Sequence, residues 1–281
     1  MKISVAHSTV YRFEHAVDLE PHTIRLRPRD DGSQKLLCYD LRIQPDPVRR
    51  AEGTDQDGNV VTHAWFQEPA RSLEVQSRFT VETLLENPFD FLLSEKAMAT
   101  LPLKYPQAVR PVLAPYCNGE GAGAVIEFAR AAADAAGGRT IDFLVELNRR
   151  IRSGFDPVDR TEGPARSAAE TLDAGEGACR DFAVLFCSAC RVMGLAARFV
   201  SGYECEAARD HAHAYMHAWA EVYLPGGGWR GFDPSRGLAV STSHVPVAAA
   251  IEPALAAPIS GSYRGVAQSA METSIRMEAS E

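Results

Sequence analysis

One stretch restricts the possible folds of this 281-residue chain more than any other: Gly175-Glu-Gly-Ala-Cys-Arg-Asp-Phe-Ala-Val-Leu-Phe-Cys-Ser-Ala-Cys-Arg-Val-Met-Gly194. Two glycines stop whatever precedes it, and a helical pattern begins at Cys179. Phe182, Leu185, Phe186, Ala189 and Met193 recur at helical spacing, and Gly194 suits a C-terminal cap. The predicted helix is apolar nearly all round, so other elements must bury it. Cys179 falls in its first turn, after a flexible glycine loop. A helix N-terminus presents unpaired N–H groups and a partial positive charge, and both favour a thiolate. Cys187 and Cys190 have redox-motif spacing but lie mid-helix, where burial raises a thiol's pKa, so they read as packing.

Three strand-like runs follow: Ala196–Tyr203, Met216–Leu224 and Trp229–Phe232. Pro225-Gly-Gly-Gly228 closes the last two into a hairpin. On the middle run, His217, Trp219, Glu221 and Tyr223 share one face. His217 is far from the turn, and Asp233 at the far end of the partner strand falls near its level. A cysteine nucleophile needs a base, and the base needs an orienting group. A carboxylate at Asp233 accepting the imidazole N–H fixes the tautomer and stabilises the imidazolium. Trp219 reads as packing and Glu221 as half exposed. Asp181 reads as an acidic first-turn residue favoured by the helix dipole.

The rest of the chain sets the domain expectation. Residues 1–85 show period-2 patches at Ile3–Phe13, Thr23–Leu26, Leu36–Ile43, Val60–Phe66 and Leu73–Thr83, separated by turn-forming residues. Asp57-Gly58 before an apolar run is a hairpin signal. This predicts an N-terminal all-β, sandwich-like domain. Residues 86–120, rich in proline, read as an irregular connector. Residues 121–240 read as the catalytic core, with helices at Ala122–Ala136, Thr140–Arg152 and Ser167–Leu172 ahead of Cys179. Residues 241–281 are expected to return to the body as strands. His7, His15, His22 and His63 are scattered and read as structural.

The net charge of −8 argues against nucleic acid as a partner. The longest apolar runs fall far short of the roughly 20 residues that cross a bilayer, so no membrane partner is expected. The first 13 residues alternate rather than forming a continuous apolar stretch, which leads to the expectation of a cytoplasmic protein. The six cysteines, at 38, 117, 179, 187, 190 and 205, are then expected to be mostly free thiols. His211, His213 and His217 form an H-x-H-x-x-x-H pattern. Residues 210–215 read as a loop, so neither a metal nor another cofactor is expected.

Gly177-Ala-Cys179-Arg-Asp-Phe-Ala183, His217-Ala-Trp-Ala-Glu-Val-Tyr223 and Gly228-Trp-Arg-Gly-Phe-Asp-Pro-Ser235 resemble, in order and spacing, the three motif blocks of the transglutaminase-like superfamily. The segment Leu195–Tyr203 resembles the family's stretch between nucleophile and base. Leu26-Arg-Pro-Arg29 and Asp57-Gly-Asn-Val60 resemble elements of the N-terminal domain in the bacterial branch. The resemblance implies an α+β fold with a papain-like core, its nucleophile helix packed on an antiparallel sheet. It assigns Cys179 as nucleophile, His217 as general base and acid, and Asp233 as orienter. It implies acyl transfer on a peptide or protein amide through a thioester, by hydrolysis or by transamidation. A departure occurs at Ala250-Ile-Glu-Pro253, where the family pattern leads one to expect a Gly-Arg-Asp-Tyr-like loop; specificity is then expected to differ.

Overall fold

The computed structural model describes residues 1–93, 99–119, 123–160, 163–205 and 215–280. The N-terminal part contains β1 (Lys2–Leu19), β2 (His22–Ile24), β3 (Gln34–Gln44), β4 (Arg49–Thr54), β5 (Val60–Trp65) and β6 (Ala70–Thr83). Next come α1 (Arg110–Cys117), α2 (Gly123–Ala135), α3 (Thr140–Gly154), β7 (Asp156–Pro157), α4 (Ala168–Ala174) and β8 (Glu176–Gly177). The chain continues through α5 (Cys179–Val192), β9 (Ala197–Glu204), β10 (His217–Leu224), β11 (Gly228–Asp233), β12 (Leu238–Ala239) and β13 (His244–Ala250). It ends with β14 (Ile259–Ser260), β15 (Tyr263–Arg264) and β16 (Ser269–Ser280). Among the described residues no helix is long and apolar enough to cross a membrane.

β1 is the spine of the N-terminal part. It pairs antiparallel with β6 on one edge and with β15 and β16 on the other, and β6 also pairs with β3. Its inward residues alternate, and that single face serves two cores. Phe13, Val17 and Leu19 pack against the smaller β14-β2-β5-β4 sheet, with Ile24, Leu26 and Ala64. Ile3 and Val5 instead join Phe79 and Val81 against Tyr203, Val245 and Val247 of β9 and β13. The β-rich N-terminal part and the rest of the chain thus share buried apolar surface.

The central sheet runs β12-β11-β10-β9-β13, antiparallel throughout. α5 lies across one face, where Phe182, Leu185, Phe186 and Ala189 meet Ala220, Val222, Leu224 and Phe232. The mixed helix and sheet content is the expected α+β class. α5 begins at Cys179, and α4 begins after Ser167, whose side chain and Glu170 form a reciprocal capping box. Among the elements not foreseen are one strand and one helix whose absence from the pattern has a physical reason. β4, with the sequence Arg-Arg-Ala-Glu-Gly-Thr, is a polar outer strand without apolar alternation. α1 forms within the proline-rich stretch because Pro111 occupies its first turn, where no N–H is needed.

β13 is terminal in the central sheet yet wholly buried. An uncovered edge leaves backbone groups unpaired, and residues of the N-terminal part satisfy them. The Asn59 amide donates to the Ala249 carbonyl at 2.7 Å and accepts from its N–H at 2.8 Å. Gln34 Nε2 donates to the Pro246 carbonyl at 2.9 Å. β9 and β13 approach so closely at Gly202 that a Cβ there would lie 2.2 Å from the Val245 carbonyl oxygen and 2.6 Å from the Trp219 ring. Gly202→Ala is therefore expected to destabilise the fold by about 1–3 kcal/mol, as overpacked sites do. An unchanged urea-unfolding midpoint would contradict this.

Candidate active site

The first turn of α5 is fixed by a buried carboxylate. Asp181 Oδ2 accepts from the Ala178 N–H at 2.9 Å, while Oδ1 accepts from Arg160 Nη2 at 2.5 Å and the Arg166 N–H at 2.7 Å. This holds the strand-to-helix corner that presents Cys179. Gly177 is required there, since a Cβ would approach the Phe182 ring to 2.9 Å. Cys179 itself is half-buried, whereas Cys187, Cys190 and Cys205 are buried and Cys38 is exposed. Burial pushes the Cys187 thiol up to about 11 and the Cys190 thiol well above its ordinary value. Their packing role agrees with that.

The hairpin brings the other two predicted residues to Cys179. Ala220 pairs with Phe232 across β10 and β11, so Asp233 lies one step further on, toward the His217 end. His217 Nε2 and Asp233 Oδ2 are 2.7 Å apart. The Cys179 thiol lies close enough to the same imidazole to raise its pKa. With Nε2 held by the carboxylate, Nδ1 is the nitrogen left to serve the thiol. Burial alone would lower the His217 pKa. The Asp233 carboxylate, with the Cys179 contact, overcomes this and raises it to about 10. Asp233 is fully buried, and its carboxyl is held far below the usual range because the paired imidazoles outweigh the desolvation penalty.

Asp233 has more partners than the sequence indicated. Oδ1 accepts from the Ser235 N–H at 3.0 Å, the Ser235 hydroxyl at 2.7 Å and the Arg236 N–H at 3.2 Å, in the turn after Pro234. Oδ2 also faces His244 Nε2 at 3.0 Å. Glu204 Oε2 lies 3.7 Å from His217 Nε2 and binds the Arg236 guanidinium at 2.7 Å. Nothing in the sequence flagged His244 or Glu204. His244 opens an alanine-rich strand far along the chain, and Glu204 only ends β9.

The expectation for Glu221 is corrected. It is buried at 6% exposure, between Arg29 Nη2 at 2.5 Å and Arg198 Nη2 at 2.7 Å. Burial raises a carboxyl's pKa, but the two guanidiniums outweigh it and pull Glu221 down to about 2. Arg29 arrives from the N-terminal part, which the strand pattern of β10 could not reveal. Trp219 packs as expected, fully buried among Val200, Val240 and Ala249. His7 is also structural, hydrogen-bonded to the Tyr203 hydroxyl at 2.6 Å and lowered to about 4 by burial.

His211 and His213 lie outside the described residues. Among the described residues, Glu204, His217, Asp233 and His244 offer ligand atoms within 4.8 Å of one another. Each is already engaged in the hydrogen bonds above. A cation would have to displace protons at both Nε2 atoms and compete with Arg236 for Glu204.

An α+β fold in which a thiol at a helix N-terminus meets an imidazole and a buried carboxylate from an adjacent hairpin defines a class of cysteine-centred sites. Residues 3–82 match the bacterial transglutaminase-like N-terminal region, and residues 123–234 match the transglutaminase-like superfamily. The chain belongs to that superfamily. A solved structure described as a "Putative Cysteine Protease" from Cytophaga hutchinsonii superposes with a TM-score of 0.71 at 21% identity, covering 100% of this chain and 92% of that one. An uncharacterised protein of Mycobacterium leprae is 26% identical over 94% of both chains. Another, from Mycobacterium tuberculosis, is 29% identical over 86% of this chain and 81% of its own.

Proposed function

We propose that this protein is a cysteine-dependent amidase or peptidase that acts on a peptide or protein amide through a thioester. The observation carrying this reading is the His217–Asp233 hydrogen bond set beside the Cys179 thiol in the first turn of α5. His217 draws the proton from Cys179 or holds it as a preformed ion pair, and Asp233 stabilises the resulting imidazolium. The sulfur of Cys179 attacks the carboxamide carbon, and its own backbone N–H is one donor available to the oxyanion. His217 passes its proton to the leaving amine. Water, deprotonated by His217, then attacks the thioester and releases the acid and the thiol.

Transamidation is the second reading, with an amine in place of water at the last step, and the superfamily membership favours keeping it. Hydrolysis is preferred because water is always at hand and no amine-binding site is evident among the described residues. A catalytically idle binding module is less favoured, because all three positions carry groups able to react. Incubation with peptide and lysate amides, followed by mass spectrometry, is expected to show a thioester on Cys179. Added primary amine then separates the two outcomes by product mass. Asp233→Asn is expected to cut turnover by about 10⁴-fold, the scale of a lost orienting carboxylate. Turnover within a few-fold of wild type would remove Asp233 from the mechanism.

A further inference from the structure

Asp233 Oδ2 faces two imidazoles from different strands, His217 of β10 and His244 of β13. An ionised carboxylate only accepts, so each facing nitrogen must donate. His244 therefore carries a proton at Nε2, and its Nδ1 meets the Ser243 hydroxyl at 2.9 Å. The His244 ring is nearly inaccessible and packs edge-on against Trp219, with centroids 5.1 Å apart. That tryptophan in turn lies beside the His217 ring, at 6.1 Å. The second imidazole is thus locked by packing, by a hydroxyl at one nitrogen and by the carboxylate at the other.

We propose that His244 is a positioning residue for the site: its Nε2–H pins the Asp233 carboxylate in the orientation that holds the His217 imidazolium against Cys179. This rests on the cysteine-nucleophile reading above. His244 does not touch the thiol or a substrate. It acts through Asp233, whose other oxygen is pinned by Ser235 and Arg236. With both oxygens fixed, the carboxylate cannot rotate away from His217. Without His244, Oδ2 is held by His217 alone, and that pair loses its fixed geometry. The charged and titratable groups facing this arrangement are Cys179 of α5, Glu204 of β9, His217 of β10 and Arg236 of the turn after β11. Arg29, Asp31, Arg198, Glu221 and Arg230 line the cavity that His244 also borders.

The test is the pH profile of Cys179 alkylation by iodoacetamide, followed by mass spectrometry on the full chain. His244→Met keeps bulk without a donor, and His244→Gln restores an N–H near the Nε2 position. A weaker imidazolium makes the thiolate form at higher pH. The acid-side midpoint is expected to rise by about one unit in His244→Met, an approximately tenfold slower reaction below it. His244→Gln should return the rate to within about threefold of wild type. A merely structural residue would lower the unfolding midpoint and leave the alkylation profile in place, and that result overturns the proposal. If His244→Met does not fold, nitrogen-15 NMR of the wild-type imidazoles decides, because an unprotonated Nε2 on His244 is incompatible with it. Failure of wild-type Cys179 to react faster than Cys38 would instead count against the enzymatic reading itself.

Discussion

Cys179→Ala is expected to abolish the thioester adduct and to lower amide turnover by about 10⁴-fold or more. Loss of a nucleophile removes the whole covalent route, so the effect is far larger than that of a binding contact. The substitution should leave the fold intact. Cys179 is half-buried, and the first turn of α5 is held by Asp181 rather than by the thiol. Circular dichroism and urea unfolding therefore serve as the control. Cys179→Ser tests the chemistry more finely, since it keeps the shape while replacing a readily ionised thiol with a hydroxyl. Its turnover should fall nearly as far as that of the alanine variant. Full activity in either variant, with the fold preserved, ends the proposal that a thioester forms at this residue.

Glu221→Ala is expected to cost about 3–5 kcal/mol of stability, the usual cost of removing one partner from a buried ion pair. Arg198 would be left buried without its counter-charge, and Arg29 would keep, among the described residues, only Asp31, 3.8 Å away. The loss reaches beyond one strand, because Arg29 ties the N-terminal part to the strand carrying His217. Replacing all three residues with apolar side chains of similar volume should recover most of the loss, since desolvation then vanishes along with the attraction. The pH dependence has a definite sign. The folded-state pKa of Glu221 is depressed, from 4.5 to about 2. Its contribution is present above the unfolded value and is lost as pH falls through the folded one. Urea midpoints measured between pH 5 and pH 2 should fall more steeply for the wild type than for Glu221→Ala. Parallel slopes would mean that Glu221 does not carry this part of the acid sensitivity.

Both expected results depend on contacts that bring distant segments together, and this sets the limit of what local pattern can reveal. α5, β9, β10 and β11 were legible because their order follows from periodicities of 3.6 and 2 and from glycine punctuation. The Cys179, His217 and Asp233 positions were legible for the same reason. A thiol at a helix start, an imidazole far from a hairpin turn and a carboxylate at the partner strand's end are all local relations. α1 was hidden because prolines count against a helix, yet here Pro111 sits in the first turn, where no N–H is needed, and Pro115 is accommodated inside. β4 was hidden because a polar outer strand has no apolar alternation to detect.

By itself the sequence determined the α+β class, the helix that begins at Cys179 and the hairpin that sets His217 beside Asp233. Burial periodicity and turn chemistry are short-range properties, and a single chain segment carries them whole. Only the tertiary structure decided that Glu221 is buried between two arginines, that Asn59 and Gln34 cover the outer edge of β13, and that His244 shares the Asp233 carboxylate. Those contacts join residues from 11 to 212 positions apart. Their partners are chosen by how sheets pack, and no repeat or spacing along the chain encodes that choice.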